Sequence, residues 1–231
     1  MSGTSEKPKY QADGLTTHHY VPFINDDRFN HAYRMALSPL DPQEADVRYR
    51  GYVIQWAVSQ VREISGHFVE CGTYNAKAAT LILNLEDLRA AGRKFLLFDT
   101  FSGIPRKGLT PNEIELGYEG RFNDVTLSEV QEKLKDYVDS VEFHVGIIPD
   151  TLEGLAYLPV AFLHIDLNGS YPTQKALDCF YPWLVKGGII VFDDYGWDGY
   201  EEQRIVIDHF FADKLEKIFA LPTGQGLVIK K

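Results

Sequence analysis

Two cysteines in 231 residues, Cys71 and Cys179, give no disulfide framework and no zinc-site spacing. No apolar run approaches the roughly 18 residues of a membrane span. Basic residues are outnumbered 23 to 33 and are nowhere clustered, so the chain lacks the phosphate-binding patch of a nucleic-acid binder. Its formal net charge of −10 also disfavours an anionic membrane surface. The opening stretch MSGTSEKPKYQADG has no apolar core of the signal-peptide kind. The expectation is a reducing, cytoplasmic setting. Also missing is the three-glycine dinucleotide fingerprint: FVECGTYNAKAAT has Gly72, with Ala76 four positions later.

What is present is the composition of a globular domain, 45% hydrophobic and 13% aromatic. Residues 1–14 read as a loose arm. Asp26 and Asp27 before RFNHAYRMAL predict a short capped helix. Asp46 opens VRYRGYVIQWAVSQVREI, where Val53, Trp56, Ala57 and Val61 recur at helical spacing. From about residue 66, strands alternate with helices. HFVECG, KFLLFD, VEFHVG, VAFLHID and IIVFDD are unbroken apolar runs, as in strands covered on both faces. NAKAATLILNLEDLRAAG, closed by Gly92, is the helix between the first two. LSEVQEKLKDYV, PTQKALDCFYPWL and GYEEQRIVIDHFFADKL are the later helices. Residues 106–125 are polar, glycine-dotted and long enough to be a functional loop. KIFALPTGQGLVIKK closes the chain as two strands with no helix between them, which predicts antiparallel pairing. The expected fold is α/β: a doubly wound, mostly parallel, seven-stranded sheet with an antiparallel C-terminal strand and an N-terminal helical extension.

In such sheets ligands bind beyond the carboxyl ends of the strands. Carboxylates stand there on four of the five parallel strands: Glu70, Asp99, Asp166, and the pair Asp193 and Asp194. Any one of them is an ordinary turn or helix-start residue; together on one sheet edge they favour a site. Glu70 and Gly72 on the first turn suit a ligand with a positive amine better than a pyrophosphate. Asp99 is placed to take ribose hydroxyls. A nucleoside with a charged amino-acid tail meets both demands, and S-adenosylmethionine is such a molecule. Asp166, Asp193 and Asp194 cannot all ionise cheaply side by side, and a hard divalent cation such as Mg2+ supplies the missing charge. Adjacent strand residues point to opposite faces, so both Asp193 and Asp194 reach one ion only if the strand has ended before Tyr195 and Gly196. Otherwise one binds metal and the other caps the next helix.

These segments, FVECGTYNAKAA, FDTFSGIP, GIIPDTL, LHIDLNGSYPTQKALDCFYPWLVKGGIIVFDDYGW and LPTGQG, resemble the macrocin O-methyltransferase-like family. The resemblance runs from about residue 45 to the end. It implies a Rossmann-like methyltransferase domain over 45–231, using S-adenosylmethionine and a divalent metal, and acting on a hydroxyl of a sugar or natural-product type acceptor. It places cofactor binding on Glu70, Gly72, Thr73, Tyr74, Asn75, Asp99, Thr100, Ser102, Gly146, Ile147 and Asp166. It places the metal on Asp166, Asp193 and Asp194. It implies that residues 1–44 cover the substrate and form subunit contacts, in a homo-oligomer of two or more copies. The family often carries D-x-D where this chain has Asp166-Leu167-Asn168, its second aspartate being the proposed base; Asn168 has no basic form at neutral pH.

The catalytic residues expected on this basis are Asp166, Asn168 and His164, the last on the same strand face as Asp166. A histidine this deep in a core strand has a structural reading too. Tyr171 and Lys175 are further proton-handling candidates. His18 and His19 either line the acceptor pocket or lie in a surface loop. Tyr195 and Trp197 either wall the acceptor site or pack beneath the loop; Cys179 reads as core. The competing functions are a metal-dependent hydrolase, in which Glu70 and Asp99 have no role, a nicotinamide oxidoreductase, and a binding fold that has lost catalysis.

Overall fold

The apolar runs become strands because helices cover both of their faces. The computed structural model describes residues 7–37 and 46–231. A hairpin comes first, β1 (Tyr10–Ala12) and β2 (Leu15–Thr17), then α1 (Asp27–Ala36) and α2 (Arg48–Gln60). There follow β3 (His67–Cys71), α3 (Lys77–Leu85), β4 (Phe95–Asp99), α4 (Pro111–Glu115), α5 (Leu127–Lys133), β5 (Val141–Val145) and β6 (Val160–Ile165). The chain ends with α6 (Ser170–Phe180), β7 (Leu184–Phe192), α7 (Glu201–Phe211), β8 (Phe219–Ala220) and β9 (Gly226–Ile229).

Seven strands form one sheet in the order β5-β4-β3-β6-β7-β9-β8, with β9 antiparallel to both neighbours and the remaining pairs parallel. The strand order reverses between β3 and β6, which makes their carboxyl ends the crevice of a doubly wound sheet. Alternation along the strands divides the core in two. Phe68, Leu97, Phe162, Ile189, Val191 and Leu227 pack beneath α2 and α3. Val69, Phe98, Leu163, Ile165, Ile190 and Phe192 pack beneath α6 and α7.

The N-terminal segment differs from the expected loose arm. Tyr10, Phe23, Phe29 and Tyr33 are buried with Leu81 and Leu85 of α3, and residues 10–17 pair as a hairpin around an Asp13-Gly14 turn. Asp26 caps α1 as expected, its side chain accepting from the Phe29 N–H at 2.9 Å. The helix expected to run to Gly92 stops at Leu85, because Glu86 turns to an extended conformation (φ −129°, ψ 129°). The last parallel strand starts earlier than expected, at Leu184, and carries Gly187 and Gly188 inside it. The 106–125 loop holds α4, opened by Pro111 and a reciprocal Thr110–Glu113 capping box.

Candidate active site

The site is built by continuing the sheet one residue past each strand. Gly72 N–H donates to the Phe98 carbonyl (2.8 Å), Gly146 N–H to Asp99 (2.9 Å), Asp166 N–H to Cys71 (2.8 Å) and Asp193 N–H to Ile165 (3.0 Å). The backbone of each site residue is therefore fixed before its side chain does anything. Gly72 serves this stitching: a Cβ there would sit 1.8 Å from the Asp166 carbonyl oxygen, and its φ is +91°. Its close approach is to the next strand, where the sequence had suggested a ligand.

Above the β3, β4 and β6 ends lies a cleft of about 830 Å³, counting the open solvent in front of it. Gly72, Tyr74, Asp99, Thr100, Gly146, Ile147, Asp166 and Asn168 line it. The outer loop adds Lys107, Leu109 and Phe122, so the polar stretch does wall the cleft. Tyr74 stands edge-on to Phe122 at 5.1 Å and its hydroxyl donates to Asp124 at 2.9 Å. Asp99 anchors the cofactor-type turn: one oxygen accepts from Thr73 N–H (2.9 Å) and Tyr74 N–H (2.8 Å), the other from Phe101 N–H (2.6 Å).

Four residues expected on the cofactor lie off this wall. Glu70 is 1% exposed and faces sideways to His164. Thr73 is buried, its hydroxyl beside the Glu70 carboxylate, and both Thr73 Oγ1 and Glu70 Oε2 lack a hydrogen-bond partner. Asn75 turns its amide oxygen back to the Lys77 N–H (3.1 Å), and Ser102 is exposed in a turn whose N–H donates to Thr100 Oγ1 (3.2 Å).

On the α2/α3 face the apolar rows give way to a polar row at the strand ends. Glu70 Oε1 lies 2.9 Å from His164 Nδ1, His164 Nε2 lies 3.5 Å from Asp193 Oδ1, and Gln225 Nε2 donates to that same oxygen at 2.8 Å. Arg50 reaches in from α2: its Nη2 lies 2.6 Å from Asp193 Oδ2 and 3.0 Å from Asp194 Oδ1. Trp197 stacks 5.0 Å from the guanidinium. Asn168, with φ +51°, donates its amide to Asp194 Oδ2. Arg50, Gln225 and Asp13, which also feels Arg50 and Asp193, were not picked out from the sequence.

Charges in this group are unequal. Burial works against ionised His164, yet the Asp193 and Glu70 carboxylates on either side of the ring outweigh it and raise its pKa to about 10. Burial also opposes ionised Asp193, but Arg50 and His164 hold it well below the usual carboxylate range. Burial and the neighbouring Asp193 raise Asp194 to about 6, and burial with both aspartates pushes Asp166 far up. Five carboxylates, Asp13, Glu70, Asp166, Asp193 and Asp194, thus crowd around two cations, Arg50 and His164, and burial pushes Asp166 and Asp194 toward their neutral forms. An excess of oxygen ligands over cations is the environment a hard divalent cation suits. The side chains offering ligand atoms within 4.8 Å of one another are His164, Asp166 and Asp193; Asp194 stands outside that set.

The other candidates do not line the cleft. His18 and His19 are exposed. Lys175 lies 3.3 Å from Asp178 and sits over the Tyr171 ring, which itself packs against Gly108. The Tyr195 hydroxyl donates to Asp208 at 2.5 Å, and Trp197 Nε1 to the Thr223 carbonyl at 3.3 Å. Cys179 is partly buried against the α6/α7 core.

A mostly parallel seven-stranded sheet with a reversed β9 and its crevice at the β3/β6 switch point defines a Rossmann-like fold of the O-methyltransferase kind. The chain belongs to the macrocin-O-methyltransferase (TylF) family, whose model matches residues 50–217. The 8-demethyl-8-(2,3-dimethoxy-alpha-L-rhamnosyl)-tetracenomycin-C 4'-O-methyltransferase of Streptomyces olivaceus is 28% identical over 145 residues, covering 58% of this chain and 55% of that protein. Demethyldecarbamoylnovobiocin O-methyltransferase of Streptomyces niveus is 30% identical over 173 residues, covering 66% of this chain and 62% of that protein. The chain thus spans less than two thirds of the length of either relative. The fold is similar to the solved O-methyltransferase NovP, with a TM-score of 0.71, 22% identity and 82% of each chain covered.

Proposed function

We propose that the chain is an S-adenosylmethionine-dependent O-methyltransferase that uses a divalent cation and acts on a hydroxyl of a small, sugar-bearing acceptor. The observation that carries this is a cleft lined by Gly72, Asp99, Gly146 and Asp166, in which Asp166 also belongs to the cluster of possible metal ligands with His164 and Asp193. That both relatives are O-methyltransferases, one of them of a rhamnosyl compound, supports the acceptor class.

When bound, S-adenosylmethionine supplies the methyl group and its electrophilic sulfonium. Gly72, Tyr74, Asp99, Thr100, Gly146 and Ile147 would hold it, with the remaining lone pair of Asp99 Oδ1 left for a ribose hydroxyl. When bound, a divalent cation lowers the pKa of an acceptor hydroxyl toward neutrality. Asp166 and Asp193, whose ligand atoms come together, would hold it, and Asp194 would join them only by leaving Arg50 and Asn168. The remaining residues orient these groups. His164, charged and locked between Glu70 and Asp193, keeps its proton near neutral pH and acts as a fixed counter-charge to Asp193, a different role from the base considered above. Asn168 orients Asp194 by donating to it and takes no proton itself. A second reading, a fold that binds without turning over, rests on Asn168.

Transfer of a radiolabelled methyl group from S-adenosylmethionine to methyl α-L-rhamnopyranoside or to an antibiotic rhamnoside tests the proposal. Transfer that needs Mg2+ and stops with a chelator is expected. Cofactor binding without turnover on any hydroxylated acceptor moves the weight to the second reading.

A further inference from the structure

The outer loop that walls the cleft is fastened along most of its length and loose at one short stretch. Ile104 pairs with the returning limb of the loop: its N–H donates to the Arg121 carbonyl and its carbonyl accepts from Gly120, both at 2.9 Å. Glu113 is 3% exposed, and its carboxylate accepts from the Ser170 N–H (2.7 Å) and the Thr110 N–H (2.8 Å). Tyr118, equally buried, donates its hydroxyl to the Gly199 carbonyl. Between the Ile104 and Thr110 anchors run residues 105–109, of which Pro105, Lys107, Gly108 and Leu109 line the cleft.

One polar tie joins this stretch to the β5 side of the cleft, which Gly146, Ile147 and Ile148 make. Lys107 Nζ donates to both oxygens of Asp150, at 2.9 and 2.7 Å, just beyond Ile148. Among the described residues no other hydrogen bond or ion pair of 105–109 reaches that side. Arg106 pairs with Glu119 inside the loop (2.7 Å), and the Leu109 N–H donates to the Arg106 carbonyl (3.2 Å). The Lys107 and Asp150 side chains are 61% and 52% exposed. An exposed pair of this kind is weak and screened by salt, whereas breaking the buried Glu113 and Tyr118 anchors leaves polar groups unsatisfied. The outer wall therefore opens first at Lys107.

We propose that the Lys107–Asp150 pair is a latch across the mouth of the cleft: breaking it frees residues 105–109, and this sets the rate at which a ligand enters and leaves. That the ligand is S-adenosylmethionine rests on the methyltransferase reading. Asp150 does not line the cleft, so the pair adds nothing to the hold on the ligand. A tie equally strong with and without a ligand slows entry and exit by the same factor and leaves affinity unchanged.

Surface plasmon resonance on the immobilised full chain, with S-adenosylhomocysteine as the probe, tests this on wild type and Asp150→Asn. Asparagine keeps the size and removes the charge. Association and dissociation should both be roughly two- to fivefold faster in the variant, the factor that an exposed ion pair is worth, with the dissociation constant unchanged. The probe is a zwitterion without net charge, so salt acts on the pair and not on long-range steering. About 0.5 M NaCl should speed wild type to the level of the variant and leave the variant as it was. Hydrogen exchange without added ligand is the second readout: the Leu109 N–H should exchange roughly two- to fivefold faster in Asp150→Asn, with the Ile104 N–H unchanged. Equal rates in the two proteins, or a weaker dissociation constant with association unchanged, overturns the latch, and so does equal exchange at Leu109. Failure of S-adenosylhomocysteine to bind either protein overturns the methyltransferase reading instead, and the exchange comparison still decides for or against the latch.

Discussion

Glu70 and His164 stand directly opposite each other on the adjacent parallel strands β3 and β6, and their side chains meet at 2.9 Å with both residues almost fully buried. A buried pair of this kind is expensive to break from one side. Glu70→Gln and His164→Gln should each destabilise by about 3 kcal/mol. The double variant should lose at least about 1 kcal/mol less than the two effects added. Urea denaturation of the four proteins measures the coupling; additive losses would show that the pair acts as two independent residues.

Arg50 ties α2 to the end of β7. Arg50→Met keeps most of the volume and removes the only side-chain cation paired with Asp194 among the described residues. The metal-free variant should lose about 3–5 kcal/mol, the range for orphaning a buried charge. Adding Mg2+ should recover more stability in the variant than in wild type. A variant as stable as wild type would mean that water already screens these carboxylates.

The pH dependence follows from the direction of two shifts. Asp194 has a folded pKa near 6, above that of an unfolded aspartate, about 3.9. The folded state therefore holds this proton more tightly, and stability falls as pH rises through the window from about 4 to 6. His164 is raised to about 10, so its contribution is complete below the unfolded value of about 6.5 and is lost as pH rises through about 10. Metal-free protein should melt at a lower temperature at about pH 8 than at about pH 5, and Asp194→Asn should flatten the acidic part of that slope. Mg2+ should raise the melting temperature more at the higher pH, because it competes with the same protons.

Gly72→Ala forces a Cβ into the Asp166 carbonyl at a backbone conformation that side chains avoid. A loss of about 3 kcal/mol or more is expected from strain and overlap together. The β3 and β6 ends must part, so affinity for S-adenosylhomocysteine should fall with stability. Unchanged stability and affinity would mean that this junction relaxes freely.

Much of this architecture was legible in the sequence because buried strands are unbroken apolar runs and their ends are marked by Glu70, Asp99, Asp166 and Asp193. The reversed β9 was legible because no helix separates the last two strands. The hairpin was missed, although Asp13-Gly14 is a strong turn signal, because its strands are three residues each and its apolar residues are sparse. Arg50 was missed because it sits one residue before Gly51 in a helix judged by its apolar positions alone. The strand-end carboxylates demanded a cation from some other element, and that demand was the available clue. Gln225 stands out only as part of the closing LPTGQG segment, since its partner Asp193 is 32 residues away. Glu70 was assigned to a ligand because local sequence does not show that the residue opposite it on β6 is a histidine.

The central claim is that the β3/β4/β6 cleft is an S-adenosylmethionine site whose far end takes a divalent cation. Calorimetric titration of S-adenosylhomocysteine into the full chain, with and without Mg2+ and repeated on Asp99→Asn, tests it most directly. The account predicts one-to-one binding that weakens in Asp99→Asn, together with a separate Mg2+ isotherm that is lost in Asp166→Asn. An absence of heat with S-adenosylhomocysteine in every condition, from protein shown to be folded, would contradict it.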